Sequence, residues 1–146
     1  MDHIEIIKVK EYKPEYLQAT QRFLSMLTND QALITEEFFV TLLSSEHSHL
    51  FFISCDNCLA GMLTVGTYNS PTGSKAWIED VVVDSTFRGK GLGKMLMQHA
   101  IDFVQSSGIT LLMLTSRPSR IIANNLYQSL GFGRKETNVY RMTFKQ

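Results

Sequence analysis

A glycine-rich segment with three basic residues is the part of the sequence best suited to chemistry. It reads Asp84-Ser85-Thr86-Phe87-Arg88-Gly89-Lys90-Gly91-Leu92-Gly93-Lys94, and it lies between a predicted buried strand and a predicted amphipathic helix. Glycines let backbone N–H groups converge on one point and let a ligand approach without Cβ clashes. The helix N-terminus adds partial positive charge, and Arg88, Lys90 and Lys94 add full charges. The segment therefore predicts a cradle for a phosphate or pyrophosphate.

Two common glycine-rich patterns do not fit this segment. A P-loop needs four residues between its glycines and a Ser or Thr after the lysine, but only three residues separate Gly89 from Gly93 and Met95 follows Lys94. A dinucleotide fingerprint needs G-x-G-x-x-G, but the spacing here is G-x-G-x-G. A third pattern, Arg-x-x-Gly-x-Gly after a strand, matches at Arg88, Gly91 and Gly93. The alternative is a flexible loop that merely tolerates glycine, which the strand–loop–helix context disfavours.

Two segments resemble the GNAT superfamily of N-acetyltransferases. Val81-Val82-Val83-Asp84, followed by Arg88-Gly89-Lys90-Gly91-Leu92-Gly93, resembles the acyl-CoA signature of that family. A second family element follows after one more predicted strand, at Ala123, Leu126-Tyr127 and Leu130-Gly131-Phe132. The predicted order of elements matches the family from Ile4 to Phe144, so the resemblance covers nearly the whole chain.

The resemblance implies how acetyl-CoA would bind as the acetyl donor. Its pyrophosphate would lie on the backbone amides of Gly89, Lys90, Gly91, Leu92, Gly93 and Lys94, beside the charge of Arg88. Its pantetheine arm would pair with the backbone of Val81, Val82 and Val83, where this strand splays from the next one. The amides of this strand would polarise the thioester carbonyl as an oxyanion hole. No metal is implied.

Acetyl transfer to an amine needs a base and benefits from an acid, because an aliphatic ammonium with a pKa near about 10 is mostly charged at neutral pH. Tyr127 is the candidate acid, because it lies where family members carry a tyrosine beside the CoA sulfur. The alternative is an ordinary core tyrosine on an amphipathic helix.

Glu79 is the candidate base, acting directly or through a water. A strand rich in Val and Ile has little reason to carry two adjacent carboxylates, Glu79 and Asp80. Strand alternation predicts that Glu79 shares a face with Val81 and Val83, and that Asp80 shares the other face with Val82. The alternative is that both carboxylates are polar residues near a strand end.

Two residues of the predicted helix at 119–130 are candidates for a contact with CoA. Many family members carry an asparagine seven residues before the tyrosine, where this chain has Arg120. Asn124 lies three residues before Tyr127, so all three would share a helical face. The resemblance therefore implies that Asn124 or Arg120 contacts CoA, and the alternative is the polar surface of an amphipathic helix.

The elements that must position these residues follow from the hydrophobic periodicity, which predicts one mixed α/β domain over residues 1–146. Strands are predicted at 4–10, 50–55, 59–68, 76–83 and 110–115, with a last strand or hairpin at 132–144. Helices are predicted at 14–28, 35–45, 92–108 and 119–130. Asp56-Asn57 is predicted to close a hairpin and residues 69–74 to form a loop. The resemblance adds the GNAT fold: a central mixed, mostly antiparallel sheet of about seven strands flanked by about four helices.

Composition excludes several classes of protein. The 146 residues carry 14 Lys plus Arg and 14 Asp plus Glu, and 44% are hydrophobic, so neither a disordered protein nor a globally basic nucleic-acid binder is expected. No apolar run approaches the ~20 residues that span a bilayer. The N-terminus lacks a basic segment followed by an apolar one, so no secretory signal is visible and a cytoplasmic location is expected.

The two cysteines form a C-x2-C pair at Cys55 and Cys58, with His47 and His49 upstream. Two cysteines and two histidines could build a tetrahedral zinc site. However, the pair brackets a predicted turn, and the histidines precede it at no recognised spacing. We therefore expect neither a metal nor a redox role for the pair.

The acceptor is expected to be a primary amine of a small molecule, bound by the first two helices and residues 69–75. Residues 77–94, and the Leu27-Thr28 and Thr35-Glu36-Glu37-Phe38 segments, resemble glucosamine-6-phosphate N-acetyltransferases, whereas residues 116–120 and 136–140 do not. An amino-sugar phosphate, a protein lysine or N-terminus, and a non-catalytic acyl-CoA-binding role therefore stay as alternatives. Many relatives are dimers, so a homodimer is also carried as an expectation.

Overall fold

The computed structural model describes residues 2–28 and 34–145. The chain divides into two compact units, one reaching to Thr115 and one starting at Ser116, and each is described by itself. The first unit contains β1 (Ile4–Lys8), α1 (Pro14–Leu27), α2 (Glu36–Ser44), β2 (Ser48–Cys55), β3 (Cys58–Ser70), β4 (Gly73–Val83), a 3-10 helix (Ser85–Phe87), α3 (Leu92–Ser106) and β5 (Leu111–Met113). The second unit contains α4 (Ile121–Ser129). A single domain over residues 1–146 stays a prediction.

The strands form one sheet in the order β1-β2-β3-β4-β5, antiparallel except for the parallel pair β4–β5. The predicted mixed α/β class and mostly antiparallel sheet are therefore confirmed. The described residues contain five strands rather than about seven.

The predicted strand or hairpin at 132–144 is wrong. Its sequence has strand character, but a strand forms only when its backbone bonds to a neighbouring strand, and no ladder within the described residues includes it. Four apolar side chains in this segment are instead well exposed, namely Val139, Tyr140, Met142 and Phe144.

Two tight turns shape the antiparallel part of the sheet. The hairpin predicted at Asp56-Asn57 is confirmed, because both residues have positive φ, +50° and +66°, as two-residue hairpin turns require. The loop predicted at 69–74 is wrong. β3 continues to Ser70 and pairs it with Gly73, so only two residues remain in the turn.

The predicted alternation along β4 is interrupted by an extra residue. Thr64 pairs with Glu79 and Met62 pairs with Val82. The two pairs are therefore two residues apart on β3 but three residues apart on β4. Asp80 takes up the difference, with a φ of +53°. Because paired residues share a face, Glu79 lies on the same face as Val82. The expectation that Glu79 shares a face with Val81 and Val83 is therefore wrong.

The helices of the first unit cover both faces of the sheet. α1 and α2 pack on the face of Phe52, where their buried Phe23 and Phe39 join the core. Thr35 caps α2 by accepting a hydrogen bond from Phe38 N at 3.1 Å. α3 packs on the opposite face, where the rings of Phe51 and Phe103 lie 5.2 Å apart. No helix within residues 2–28 and 34–145 combines the length and apolar character needed to cross a bilayer.

Candidate acetyl-transfer site

The second half of β4 pairs with a described strand on one side only, so its other backbone edge is open. β5 pairs only with Lys75, Ala76 and Trp77, and its ladder stops at Trp77–Met113. From Ile78 to Val83, β4 is paired within the described sheet with β3 alone. The predicted divergence of the two strands beside Val81, Val82 and Val83 is thus present. An unpaired edge of this kind offers N–H and C=O groups to an extended ligand.

The glycine loop adopts a backbone conformation that depends on two of its glycines. Gly89 and Gly91 have φ of +81° and +72°, a region that other residues rarely adopt. A Cβ built on either glycine would meet no described atom within 4 Å, so the space beside the loop is open. This open space is what a ligand approaching the backbone needs.

The helix that follows the loop presents its N-terminus without a capping side chain. α3 begins at Leu92 with Gly91 as its N-cap, and its first helical hydrogen bond runs from Met95 N to Gly91 O at 3.1 Å. The N–H groups of Leu92, Gly93 and Lys94 therefore have no acceptor within the helix. Together with the helix dipole they suit a phosphate-type anion.

Of the three basic side chains at the loop, Lys90 is already paired. Its Nζ lies 2.7 Å from Asp2 Oδ2, and this hydrogen bond raises the pKa of Lys90 and lowers that of Asp2. Arg88 and Lys94 are exposed and form no ion pair with the described residues. The positive charge available to an anion therefore comes chiefly from these two side chains.

A buried carboxylate anchors the start of the loop. Asp84 is 7% exposed, and its Oδ1 accepts hydrogen bonds from Thr86 N at 2.9 Å and Thr86 Oγ1 at 3.0 Å. Its Oδ2 accepts from Arg22 Nη1 at 2.5 Å, while Arg22 Nη2 donates to Leu59 O at 2.8 Å. The Thr86 amide and the other donors hold the pKa of Asp84 below its usual value. The sequence carries no signal for this role of Arg22, which lies 62 positions away.

A cavity of about 580 Å³ lies between α1, α2 and the sheet of the first unit. Its apolar wall is formed by Leu24, Ile34, Phe38, Leu42, Leu50 and Met62. Thr20, Thr35 and Thr64 add hydroxyls, and Glu79 and Asp80 add carboxyl groups. α1 and α2, the two helices expected to bind the acceptor, line this cavity, whereas none of residues 69–75 is among its lining residues.

The two carboxyl groups at the cavity have raised pKa values. Burial and the neighbouring Asp80 raise the pKa of Glu79, and burial raises that of Asp80. The bulge places both residues at the cavity, which simple alternation would not do. A carboxylate with a raised pKa is a stronger base than an ordinary one, so Glu79 and Asp80 are both placed to accept a proton. The strained φ of Asp80 is a further feature that sequence reasoning missed.

The second unit holds the other predicted site residues. Tyr127 is buried on α4, with its ring 6.2 Å from that of Phe132. Asn124 Nδ2 donates to Arg117 O at 2.9 Å and to Arg120 O at 2.8 Å. Because these carbonyls engage its amide nitrogen, only Asn124 Oδ1 is left for a ligand. Ser116 Oγ is a buried hydroxyl with no partner among the described residues.

The C-x2-C pair lies at the β2–β3 turn. Cys55 is buried, Cys58 is exposed, and both are free thiols. Burial raises the pKa of Cys55, which disfavours the thiolate. Cys55 approaches Asp2 and Asp56 within 4.8 Å, but neither His47 nor His49 belongs to this group.

Comparisons with solved structures show the fold. An aminoglycoside acetyltransferase from an uncultured soil metagenomic sample, in complex with trehalose, matches with a TM-score of 0.87 and 20% identity over 97% of each chain. Glucosamine-6-phosphate N-acetyltransferase from Arabidopsis thaliana matches with a TM-score of 0.79 and 24% identity, covering 96% of this chain and 98% of that one.

Two curated sequence relatives match different shares of the chain. The [ribosomal protein bS18]-alanine N-acetyltransferase of Salmonella typhimurium is 41% identical over 58 residues, which are 40% of this chain and 39% of the relative. The chain thus spans about two fifths of the length of the first curated relatives that it matches. N-alpha-acetyltransferase 30 of Saccharomyces cerevisiae is 27% identical over an alignment of 137 positions, which covers 83% of this chain and 74% of the relative.

The family comparison covers both predicted motifs. The model of the acetyltransferase (GNAT) family matches residues 11–132, a range that includes β4, the glycine loop and α4. This agrees with the open strand edge, the uncapped helix N-terminus and the acidic cavity described above. The chain belongs to the acetyltransferase (GNAT) family.

Proposed function

We propose that this protein transfers the acetyl group of acetyl-CoA to a primary amine of a small molecule by direct attack on the thioester. One observation carries the proposal: the same strand, β4, borders both the proposed acetyl-CoA site and the cavity proposed for the amine. Its unpaired edge leads into the glycine loop and the N-terminus of α3, and its bulge sets Glu79 and Asp80 at the cavity.

On the donor side, acetyl-CoA supplies the activated acetyl group as a thioester. The backbone of Val81, Val82 and Val83 would pair with the amides of its pantetheine arm. The N–H groups of the glycine loop and of the first turn of α3 would bind its pyrophosphate, since they are donors without helical acceptors. Arg88 and Lys94 would add charge, and Asn124 Oδ1 or Arg120 would add a contact from α4.

On the acceptor side, the amine must lose a proton before its nitrogen can attack. Glu79 takes this proton, directly or through a water, and its raised pKa suits that task. As the nitrogen–carbon bond forms and the carbon–sulfur bond breaks, Tyr127 donates a proton to the leaving thiolate. The role of Tyr127 rests on its motif within the matched family range.

A peptide N-terminus is a second candidate acceptor. It is supported by two relatives whose names describe acetylation of protein N-termini, in Salmonella typhimurium and Saccharomyces cerevisiae. The amino-sugar phosphate named by the Arabidopsis thaliana structure is a third acceptor class. The proposals of a homodimer and a cytoplasmic location stay predictions.

Thiol release measured with acetyl-CoA across small amines, amino-sugar phosphates and peptides tests the proposal. We expect a small amine to give the highest kcat/KM, with acetyl-CoA raising the melting temperature. If a peptide is the best acceptor, the acceptor class is a peptide N-terminus and not a small amine. Tight acetyl-CoA binding without turnover of any amine or peptide would indicate a non-catalytic binding module.

A further inference from the structure

The described wall of the cavity between α1 and α2 carries no basic side chain that could pair with an anion. Its described lining residues include six apolar side chains, three threonines, Glu79 and Asp80, but no Lys, Arg or His. An acceptor carrying a phosphate or carboxylate beside its amine would therefore meet carboxyl groups and apolar side chains.

Two of the three hydroxyls at the cavity are already used by the backbone. Thr20 Oγ1 donates to Tyr16 O at 2.8 Å, and Thr35 Oγ1 accepts from Phe38 N at 3.1 Å. Thr20 Oγ1 has thus committed its hydrogen, and Thr35 Oγ1 one of its lone pairs, so each hydroxyl keeps only part of its hydrogen-bonding capacity. Apart from its acidic end, the described wall is therefore mostly apolar, with six apolar side chains against three threonines.

Phe38 is an aromatic side chain that is not part of the hydrophobic core. It lines the cavity from α2 and is 59% exposed, whereas its neighbour Phe39 is fully buried in the core. A large exposed ring beside a cavity is typical of a surface that contacts a ligand.

We propose that the acceptor is a primary amine with an apolar substituent, preferably aromatic, and with no anionic group near the nitrogen. The ammonium group enters at the acidic end beside Glu79 and Asp80, and the substituent packs against Phe38 and Leu42. This specificity rests on the proposed acetyl transfer and names the substrate class of that same cavity.

A matched pair of amines tests the charge argument. 2-Phenylethylamine and L-phenylalanine share a phenyl ring and an amine, and differ by one carboxylate. We expect kcat/KM to be at least about tenfold higher for 2-phenylethylamine. The carboxylate lowers the pKa of the amine and so favours the reactive free base, which means that basicity alone would give the opposite order.

A matched pair of variants tests the apolar argument. Phe38 and Val40 both lie on α2 and are 59% and 42% exposed, but only Phe38 lines the cavity. We expect Phe38→Ala to lower kcat/KM for 2-phenylethylamine by about five- to tenfold, and to lower it less for ethylamine, which has no ring to pack against Phe38. Val40→Ala should leave both amines unchanged. Binding of 2-phenylethylamine to the CoA-loaded protein, measured by calorimetry, should weaken only in Phe38→Ala.

The outcomes separate this specificity from the acetyltransferase activity itself. Higher kcat/KM for L-phenylalanine or glucosamine 6-phosphate than for 2-phenylethylamine would overturn the inference and leave acetyl transfer standing. Saturable CoA binding with neither binding nor turnover of 2-phenylethylamine would also overturn it. Loss of acetyl-CoA binding and of turnover for every amine would instead contradict the proposed function.

Discussion

Arg22 on α1 and Asp84 at the end of β4 form an ion pair, with 2.5 Å between Arg22 Nη1 and Asp84 Oδ2. The pair joins α1, which lines the cavity, to the residue that starts the glycine loop. The same guanidinium donates to Leu59 O, so one side chain bonds both to β3 and to the residue that follows β4, where the loop begins.

Replacing this arginine tests the anchor. Arg22→Met should lower the free energy of unfolding by about 1–3 kcal/mol, because it removes charged hydrogen bonds and leaves a buried carboxylate short of one donor. It should also raise the KM for acetyl-CoA, since the loop loses its tether. Arg22→Lys should lose less stability, because it keeps the charge. Denaturant unfolding and steady-state kinetics measure both effects.

The lowered pKa of Asp84 also has a consequence for acid stability. Its folded-state value lies below the unfolded value, so the ionised carboxylate stabilises the fold at neutral pH, and this contribution is lost as the pH falls through the folded-state value. Asp84→Asn should therefore flatten the dependence of stability on pH in that acidic range. An unchanged profile, or an Arg22→Met variant as stable as the original, would contradict the anchor.

Glu79→Gln should lower kcat by about 10²–10⁴-fold if Glu79 is the general base. In the original protein, activity should rise with pH as Glu79 loses its proton, at a pH above the ordinary glutamate value because its pKa is raised. The glutamine variant should lack this limb of the pH–rate profile. If the limb is unchanged in Glu79→Gln, Glu79 is not the base.

The Asp80→Asn variant is a second test of Glu79 as the base. The negative charge of Asp80 helps to raise the pKa of Glu79, so the amide should shift the acidic limb to lower pH without abolishing it. Loss of the limb in Asp80→Asn with its retention in Glu79→Gln would assign the base to Asp80 instead.

Gly91→Ala should weaken acetyl-CoA binding at the loop. The position has a φ of +72°, so the alanine would introduce backbone strain of about 1–2 kcal/mol, and its methyl group would project beside the N-terminus of α3. Gly108→Ala is a matched control, since Gly108 has a φ of +78° and equally open surroundings but follows the other end of α3. Both variants should lose similar stability, while only Gly91→Ala should raise the KM for acetyl-CoA. Equal KM values for the two would argue against the loop as the cradle.

Tyr127→Phe tests the proposed acid. The ring and its contact with Phe132 remain in this variant, so the melting temperature should change little. If the hydroxyl donates a proton to the thiolate, kcat should fall by about 10–10³-fold with little change in the KM for acetyl-CoA. Full turnover in Tyr127→Phe would remove the hydroxyl from the mechanism and leave Tyr127 as a core residue.

Local chemistry made part of this protein predictable from its sequence. The glycine loop between a strand and a helix, the turn at Asp56-Asn57 and the cap at Thr35 depend on neighbouring residues only. Such features are set by backbone conformation and by hydrogen bonds a few positions apart. The same is true of the bounds of α1, α2 and α3, which differ from the predicted ranges by no more than two residues at either end.

The tertiary structure decided the features that depend on distant partners. The bulge at Asp80 appears only when β4 is paired with β3, and it reverses the face that alternation assigns to Glu79. The anchor at Asp84 needs Arg22 from 62 positions away, and the cavity collects side chains from positions 20 to 80. Residues 132–144 have strand character but no ladder among the described residues. Strand pairing, burial and cavity shape arise from contacts between segments, so periodicity along one segment does not determine them.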